Sequence, residues 1–227
     1  RQFKDGGGLA NYHKTRNDAL RDGASRMSCY LNLGMVSPLR VAREAAAFKG
    51  GGKEKFIEEL QTWREIAYAF VYHRPATYLS TECLPAWAQQ TLAAHRGDQR
   101  AVFTDRALAE GRTGAAVWDA AQQALVETGE MHNNLRMSWG KAIVGWSASA
   151  EEAYDRLVYL NDRFALDGQA PPSYSGLLWC LGQFDSPKAE GAVLGTVRAR
   201  PLSRCRYDPA ALLAAARKRA GQRAGGR

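Results

Sequence analysis

The sequence has only four cysteines, Cys29, Cys83, Cys180 and Cys205, and none belongs to a CxxC pair. No histidine lies at metal-ligand spacing from them. The patterns of a zinc module and of a disulfide framework are therefore missing, and no metal is expected. No apolar run approaches the ~20 residues that cross a bilayer, so no membrane partner is expected. The N-terminal segment RQFKDGGGLANYHK lacks the apolar core of a signal peptide, and the default expectation is a cytoplasmic protein. Alternating runs of β-branched residues are absent, which argues against a sheet. Repeats are absent too, and the one biased segment is the Ala/Arg/Gly-rich end.

What remains suits an ordered helical domain. The 227 residues can bury a full core, with 45% apolar and 10% aromatic side chains. The formal charge is +8, from 31 Lys+Arg against 23 Asp+Glu. A basic balance favours a polyanionic partner such as nucleic acid. Much of the excess sits in Arg217–Arg227, RKRAGQRAGGR, which a solvated end explains equally well.

Helical signals dominate the chain. Ser37-Pro38 reads as an N-cap with proline at the first helical position, opening Leu39–Phe48. After Gly50-Gly51-Gly52, Glu54–His73 carries Phe56, Leu60, Trp63, Ala67 and Phe70 on one predicted helix face. Further helices are predicted at Leu84–His95, Gly114–Thr128, Met131–Trp146, Ala150–Asp162 and Tyr174–Cys180. Pro171-Pro172 reads as part of a turn between the last two. The expectation is one all-α domain over residues 1–208, followed by a basic C-terminal helix or tail over 209–227.

Four groups of residues carry chemistry. Ser25 and Ser28 start a short helical pattern closed by Gly34. Hydroxyls and free N–H groups there would suit a phosphate, although serines also cap helices for structural reasons. Glu59 and Trp63 stand at i, i+4 near an apolar face, where a carboxylate needs a partner or a cavity. Arg136 needs a carboxylate, and Asp162 and Asp167 are the candidates. Trp118, Trp139 and Trp146 could form an electron-hopping chain or could simply fill the core.

Taken in order, these residues resemble the FAD-binding catalytic domain of the photolyase/cryptochrome family, nearest to class II cyclobutane pyrimidine dimer DNA photolyases. The matching pieces are YxxxRND at Tyr12–Asp18, SRMSCYLNLGMVS from Ser25, EELQTWREI at Glu58–Ile66, LRMSWGKAIVGW at Leu135–Trp146, NDRFALDG at Asn161–Gly168 and SGLLWCLG at Ser175–Gly182. The resemblance implies a helical fold, FAD as cofactor and light-driven repair of UV-damaged DNA. It implies that Tyr12, Ser25, Met27 and Ser28 hold the FAD phosphates, and that Arg136, Asn161 and Asp167 surround the flavin ring. Asn17, Glu59, Trp63, Met137 and Trp179 would line the pocket for a flipped dimer. Trp139, Trp118 and Trp146 would carry electrons to the flavin. After Trp179 the family commonly carries basic DNA-contacting residues; this chain departs there with FDSPKAEGAVLGTVRARP, and Lys188, Arg198 and Arg200 are expected to contact DNA in their place.

Two further departures from the family pattern stand out. The α/β antenna domain that usually precedes this region is expected to be missing or separate, and the protein is expected to be a monomer. The loop Gln169-Ala170-Pro171-Pro172 diverges, which favours the alternative of a cryptochrome-like flavin photoreceptor without repair. The retained Glu59, Trp63, Met137 and Trp179 favour the repair enzyme.

Overall fold

Side-chain hydroxyls open several of the helices. Ser37 Oγ accepts the Arg40 N–H at 3.4 Å, Thr104 Oγ1 the Ala107 N–H at 3.1 Å, and Ser149 Oγ the Glu152 N–H at 3.2 Å. Each satisfies a donor that the first turn of a helix cannot pair internally. The computed structural model describes residues 2–224.

In chain order the helices are α1 (Gln2–Asp5), α2 (Gly8–Thr15), α3 (Ser28–Asn32), α4 (Pro38–Ala46), α5 (Lys53–Ile57), α6 (Arg64–His73) and α7 (Ala86–Ala94). They continue with α8 (Asp105–Ala109), α9 (Ala116–Thr128), α10 (Asn133–Trp146), α11 (Ala150–Phe164), α12 (Pro171–Cys180) and α13 (Pro209–Ala224). No strand occurs among the described residues; the loop after α12 holds one isolated bridge, Gly191 to Gly195. No helix among them is long and apolar enough to cross a membrane.

The main core lies where α10, α11 and α12 meet α7 and α9. Ile143, Leu157, Leu178 and Trp118 are fully buried there. Gly140 lets α10 approach α12 closely, since a Cβ at that position would stand 2.5 Å from Cys180 Sγ. A smaller core joins Leu9, Val41, Ala45 and Phe56.

Two predicted elements take a different form. The helix expected over Glu54–His73 is broken by a π-helical turn, Glu58–Trp63, between α5 and α6. A π turn holds more residues per revolution, so it rotates the apolar face. Phe56 packs in the small core and Phe70 in the large one, while Trp63 stays 36% exposed. The expected single stripe from Phe56 to Phe70 is therefore split. Pro171 and Pro172 are the opening residues of α12, not part of a turn. Proline loses nothing at a helix start, where its absent N–H would have no internal partner.

The basic C-terminal segment is helical and packs along α9. Leu212 is buried, and Arg217 grips Glu127 through two hydrogen bonds of 2.7 and 2.8 Å. Residues 225–227 of the basic tail lie outside the described residues.

Candidate functional site

Helices α2, α3 and α10, the π turn, α13 and the loop before α12 surround a cavity of about 370 Å³. Tyr12, Ser25, Met27, Ser28, Glu59, Arg136 and Asp167 line it. A second cavity of about 240 Å³ shares Tyr12, Ser25, Met27, Ser28, Glu59 and Asp167 and extends to Leu60, Arg64 and Ser173. Six residues from four separate segments of the chain thus stand on one continuous wall.

Arg136 anchors that wall. Its Nη2 donates to Asp167 Oδ1 at 2.8 Å, and its Nη1 donates to Asn161 Oδ1 at 3.4 Å. Burial opposes ionisation of Asp167. The charge of Arg136 and hydrogen bonds from Arg136 and Ser28 outweigh burial and hold the carboxyl below its ordinary range. Asn161 is itself buried and also accepts from Ser173 Oγ at 3.0 Å. Asp162, the other candidate partner for Arg136, is committed to the loop. It accepts from the Gln169 N–H at 3.1 Å and from the Tyr174 hydroxyl at 2.9 Å. The result is a cationic group fixed at the cavity wall with its counter-charge supplied.

Glu59 borders both cavities and carries two cations. Arg16 lies 2.6 Å away and Lys55 3.0 Å away. Trp63, at the far end of the same π turn, packs its ring 5.1 Å from the ring of Trp179, with an angle of 45° between the planes. Phe184 backs Trp179 at 6.0 Å. Two mutually tilted indoles, Trp63 exposed and Trp179 half-buried, and a paired carboxylate one turn away form an apolar surface with a polar edge. Asn17 follows Arg16 and lines neither cavity. Its carbonyl accepts from Asn134 Nδ2 at 2.8 Å, and Arg16 donates to its side-chain oxygen at 3.4 Å. Met137 is half-buried against the main core, in the turn of α10 that carries Arg136.

One polar residue behind this surface escaped the sequence reading. Lys141 is buried, and its Nζ donates to the Trp179 carbonyl at 3.2 Å. Burial lowers its pKa. It caps the C-terminal carbonyls of α12 and so holds the backbone that presents Trp179. The available signal was a lysine inside the otherwise apolar run around Trp139 and Ile143.

The three tryptophans form a contiguous row. Trp118 stacks on Trp139 with ring centroids 6.2 Å apart and planes 4° apart. Trp118 also meets Trp146 edge-on at 5.3 Å. Trp139 Nε1 donates to Gln122 Oε1 at 3.0 Å, and Trp118 Nε1 donates to the Trp139 carbonyl at 3.0 Å. Both buried indole N–H groups are thereby satisfied. Trp139 stands one helical turn from Arg136, and at the other end of the row Trp146 is only half-buried. Ring spacings of this size allow an electron to hop.

Lys188, Arg198 and Arg200, the expected DNA contacts, are each tied to the protein. Arg198 donates to Asp185 through Nε at 2.8 Å and Nη2 at 3.1 Å, and Lys188 lies 3.3 Å from the same carboxylate. These contacts hold Asp185 far below the ordinary carboxylate range, against the effect of burial. Arg200 donates to Ser138 Oγ at 3.0 Å and also to Asn134 Oδ1, which fixes it on α10.

Comparison with known proteins adds a family match. Residues 56–144 match the model described as the FAD binding domain of DNA photolyase. The chain is 42% identical over 191 residues to the deoxyribodipyrimidine photo-lyase of Methanothermobacter thermautotrophicus, covering 84% of this chain and 42% of that protein. It is 34% identical to the enzyme of the same name from Oryza sativa, covering 94% of this chain and 44% of the relative. A third relative of that name, from Potorous tridactylus, is 34% identical over 87% of this chain and 38% of its own length. The chain thus spans less than half the length of these relatives.

Proposed function

We propose, for a chain that belongs through its FAD-binding domain to the DNA photolyase family, that it splits cyclobutane pyrimidine dimers in UV-damaged DNA under light. FAD is the cofactor that this domain takes, and the cavity residues fit it. The hydroxyls of Ser25 and Ser28 and the surrounding arginines suit a diphosphate, while the fixed Arg136–Asp167 pair suits a planar, redox-active ring. The single observation that carries the reading is the position of Glu59. It borders the cofactor cavity and also stands one π turn from the Trp63–Trp179 surface.

FAD, held here by Ser25, Ser28, Arg136 and Asp167 and reduced, would supply light-driven one-electron chemistry to the lesion. The chain's own residues do the rest. A dimer within a duplex is out of reach, so it must be extruded, and damage lowers the cost of unstacking. Trp63 and Trp179 offer the extruded bases an apolar wall, and Trp179 is held in place by Lys141. Glu59, as the partner of two cations, accepts a hydrogen bond from a base N–H. Asn17 and Met137 are the further residues proposed to line the lesion pocket. Trp139, Trp118 and Trp146 give electrons a path inward from solvent. Lys188, Arg198 and Arg200 are the proposed contacts to DNA phosphates.

The class II assignment rests on the ordered motifs from YxxxRND to SGLLWCLG. A monomer acting in the cytoplasm is part of the same proposal. The test is direct: purified, photoreduced protein is illuminated with an oligonucleotide that contains a thymine dimer, and dimer loss is followed by chromatography. Dimers that persist beside a flavin-loaded, illuminated protein would end the repair reading.

A further inference from the structure

The larger cavity is rich in arginine, and most of these arginines are paired. Arg16 meets Glu59, Arg26 meets Glu130, Arg136 meets Asp167, and Arg21 meets Asp18. Arg219, on α13, also lines the cavity, and it makes no ion pair among the described residues. Its Nη1 donates to the Ala19 carbonyl at 3.2 Å, which leaves most of the guanidinium fork unused. Burial, and then the nearness of Arg26, disfavours its charged form, while Asp22, which lines the same cavity without an ion pair to Arg219, favours it. A guanidinium nevertheless stays charged in any ordinary environment. A partly desolvated cation with spare donors, facing a cavity, is a seat for an anion.

The surroundings fix that seat. Ala216 lines the cavity one turn before Arg219, so α13 presents one edge to it. Arg26 Nη2 donates to the Arg219 carbonyl at 2.9 Å, and Arg217 clamps the helix to Glu127 on α9. His132 stands at the same end, and burial followed by the charge of Arg219 pushes its pKa down to about 4. The imidazole is neutral at neutral pH and does not compete as a cation. The hydroxyl-bearing residues Ser25 and Ser28 line the same cavity.

We infer that Arg219 is a cofactor-binding residue whose guanidinium holds the diphosphate of FAD, and that α13 is a wall of the cofactor site and not an appended tail. The inference rests on the flavin reading of this cavity. Removing α13 would open the diphosphate end and leave the Arg136–Asp167 end in place.

The test measures flavin affinity of the purified full chain in the dark, by fluorescence quenching, with FAD, FMN and riboflavin as probes. Arg219→Gln is expected to weaken FAD by about tenfold or more, the usual cost of losing hydrogen bonds to a charged group, and to leave riboflavin unchanged. Arg219→Lys recovers part of the loss, because charge is kept and the fork is not. Added salt weakens FAD less in Arg219→Gln than in the wild type. Wild-type affinity for FAD in Arg219→Gln overturns the inference. So does an equal loss of FAD and riboflavin, or melting of both ligand-free variants well below the wild type, since either assigns Arg219 to holding the helix. If the wild type takes up none of the three probes, the flavin reading itself falls and the inference with it.

Discussion

Arg16 and Glu59 stand 2.6 Å apart and join the C-terminal cap of α2 to the π turn. The pair draws together two segments that each supply a proposed site residue, Asn17 beside Arg16 and Trp63 beyond Glu59. With Lys55 on its other side, the carboxylate has its orientation set before any ligand arrives.

Glu59→Ala is expected to lower dimer repair by about tenfold or more and to leave bound flavin unchanged, since a hydrogen bond between charged and polar groups is lost on the DNA side. Flavin absorbance per protein and dimer loss per absorbed photon check the two halves. If the flavin is lost as well, Glu59 serves the cofactor and not the lesion.

Asp167 gives a pH dependence of known sign. Its folded pKa is lowered, so the stability it contributes is full above the unfolded value of about 3.9 and disappears as pH falls through the folded value. Asp167→Asn leaves Arg136 without its charge partner and is expected to cost about 3 kcal/mol near pH 7. The deficit relative to wild type should shrink in strong acid. Urea denaturation at neutral pH and near pH 3 measures it; a constant deficit contradicts the assignment.

Trp118→Phe interrupts the row of indoles at its centre. Photoreduction should slow strongly, while repair by chemically pre-reduced protein should persist. The lost hydrogen bond to the Trp139 carbonyl and the small cavity should cost about 1–3 kcal/mol of stability. Unchanged photoreduction would mean that electrons enter by another path.

His95 closes the loop that carries Lys188 and Arg198. Its Nδ1 lies 2.7 Å from Asp98 and its Nε2 2.9 Å from Glu190, and Asp98 also accepts the Val193 N–H at 2.8 Å. The hydrogen bond to Asp98 and then that to Glu190 raise the pKa of His95. Its contribution is therefore complete below the unfolded value of about 6.5 and is lost as pH rises through the folded value. Val193 sits at φ 68°, a conformation that a β-branched residue resists, so it needs this restraint. Hydrogen exchange at the Val193 amide, corrected for its intrinsic pH dependence, should lose protection on going from pH 6 to about pH 9. Flat protection across that range would show that the ion pairs do not hold the loop.

Periodicity in the sequence was enough to place the long helices from Ala86 to Cys180, since their apolar residues repeat every three or four positions. It could not reveal the π turn, because one extra residue shifts the face without disturbing the local pattern. Pro171-Pro172 misled for a related reason: proline favours turns and first helical positions alike. The Arg136–Asp167 pair was legible from the need to neutralise a buried arginine. The partners of Glu59 were not, because Arg16 comes from a distant helix and only the fold brings it there. The docking of α13 was hidden by its charge. Its arginines read as a solvated end, while Leu212 and Ala216 mark the buried side.

Helix α13 also sets an order of events. Residues 209–224 leave the ribosome after everything else that lines the larger cavity, and synthesis runs at roughly 5–20 residues per second. The nascent chain therefore passes through a stage in which α9 lacks its covering helix and one side of the chamber stands open. Such a vestibule admits a bulky dinucleotide without prising apart a finished core, and arrival of the last turns then shuts the door behind it.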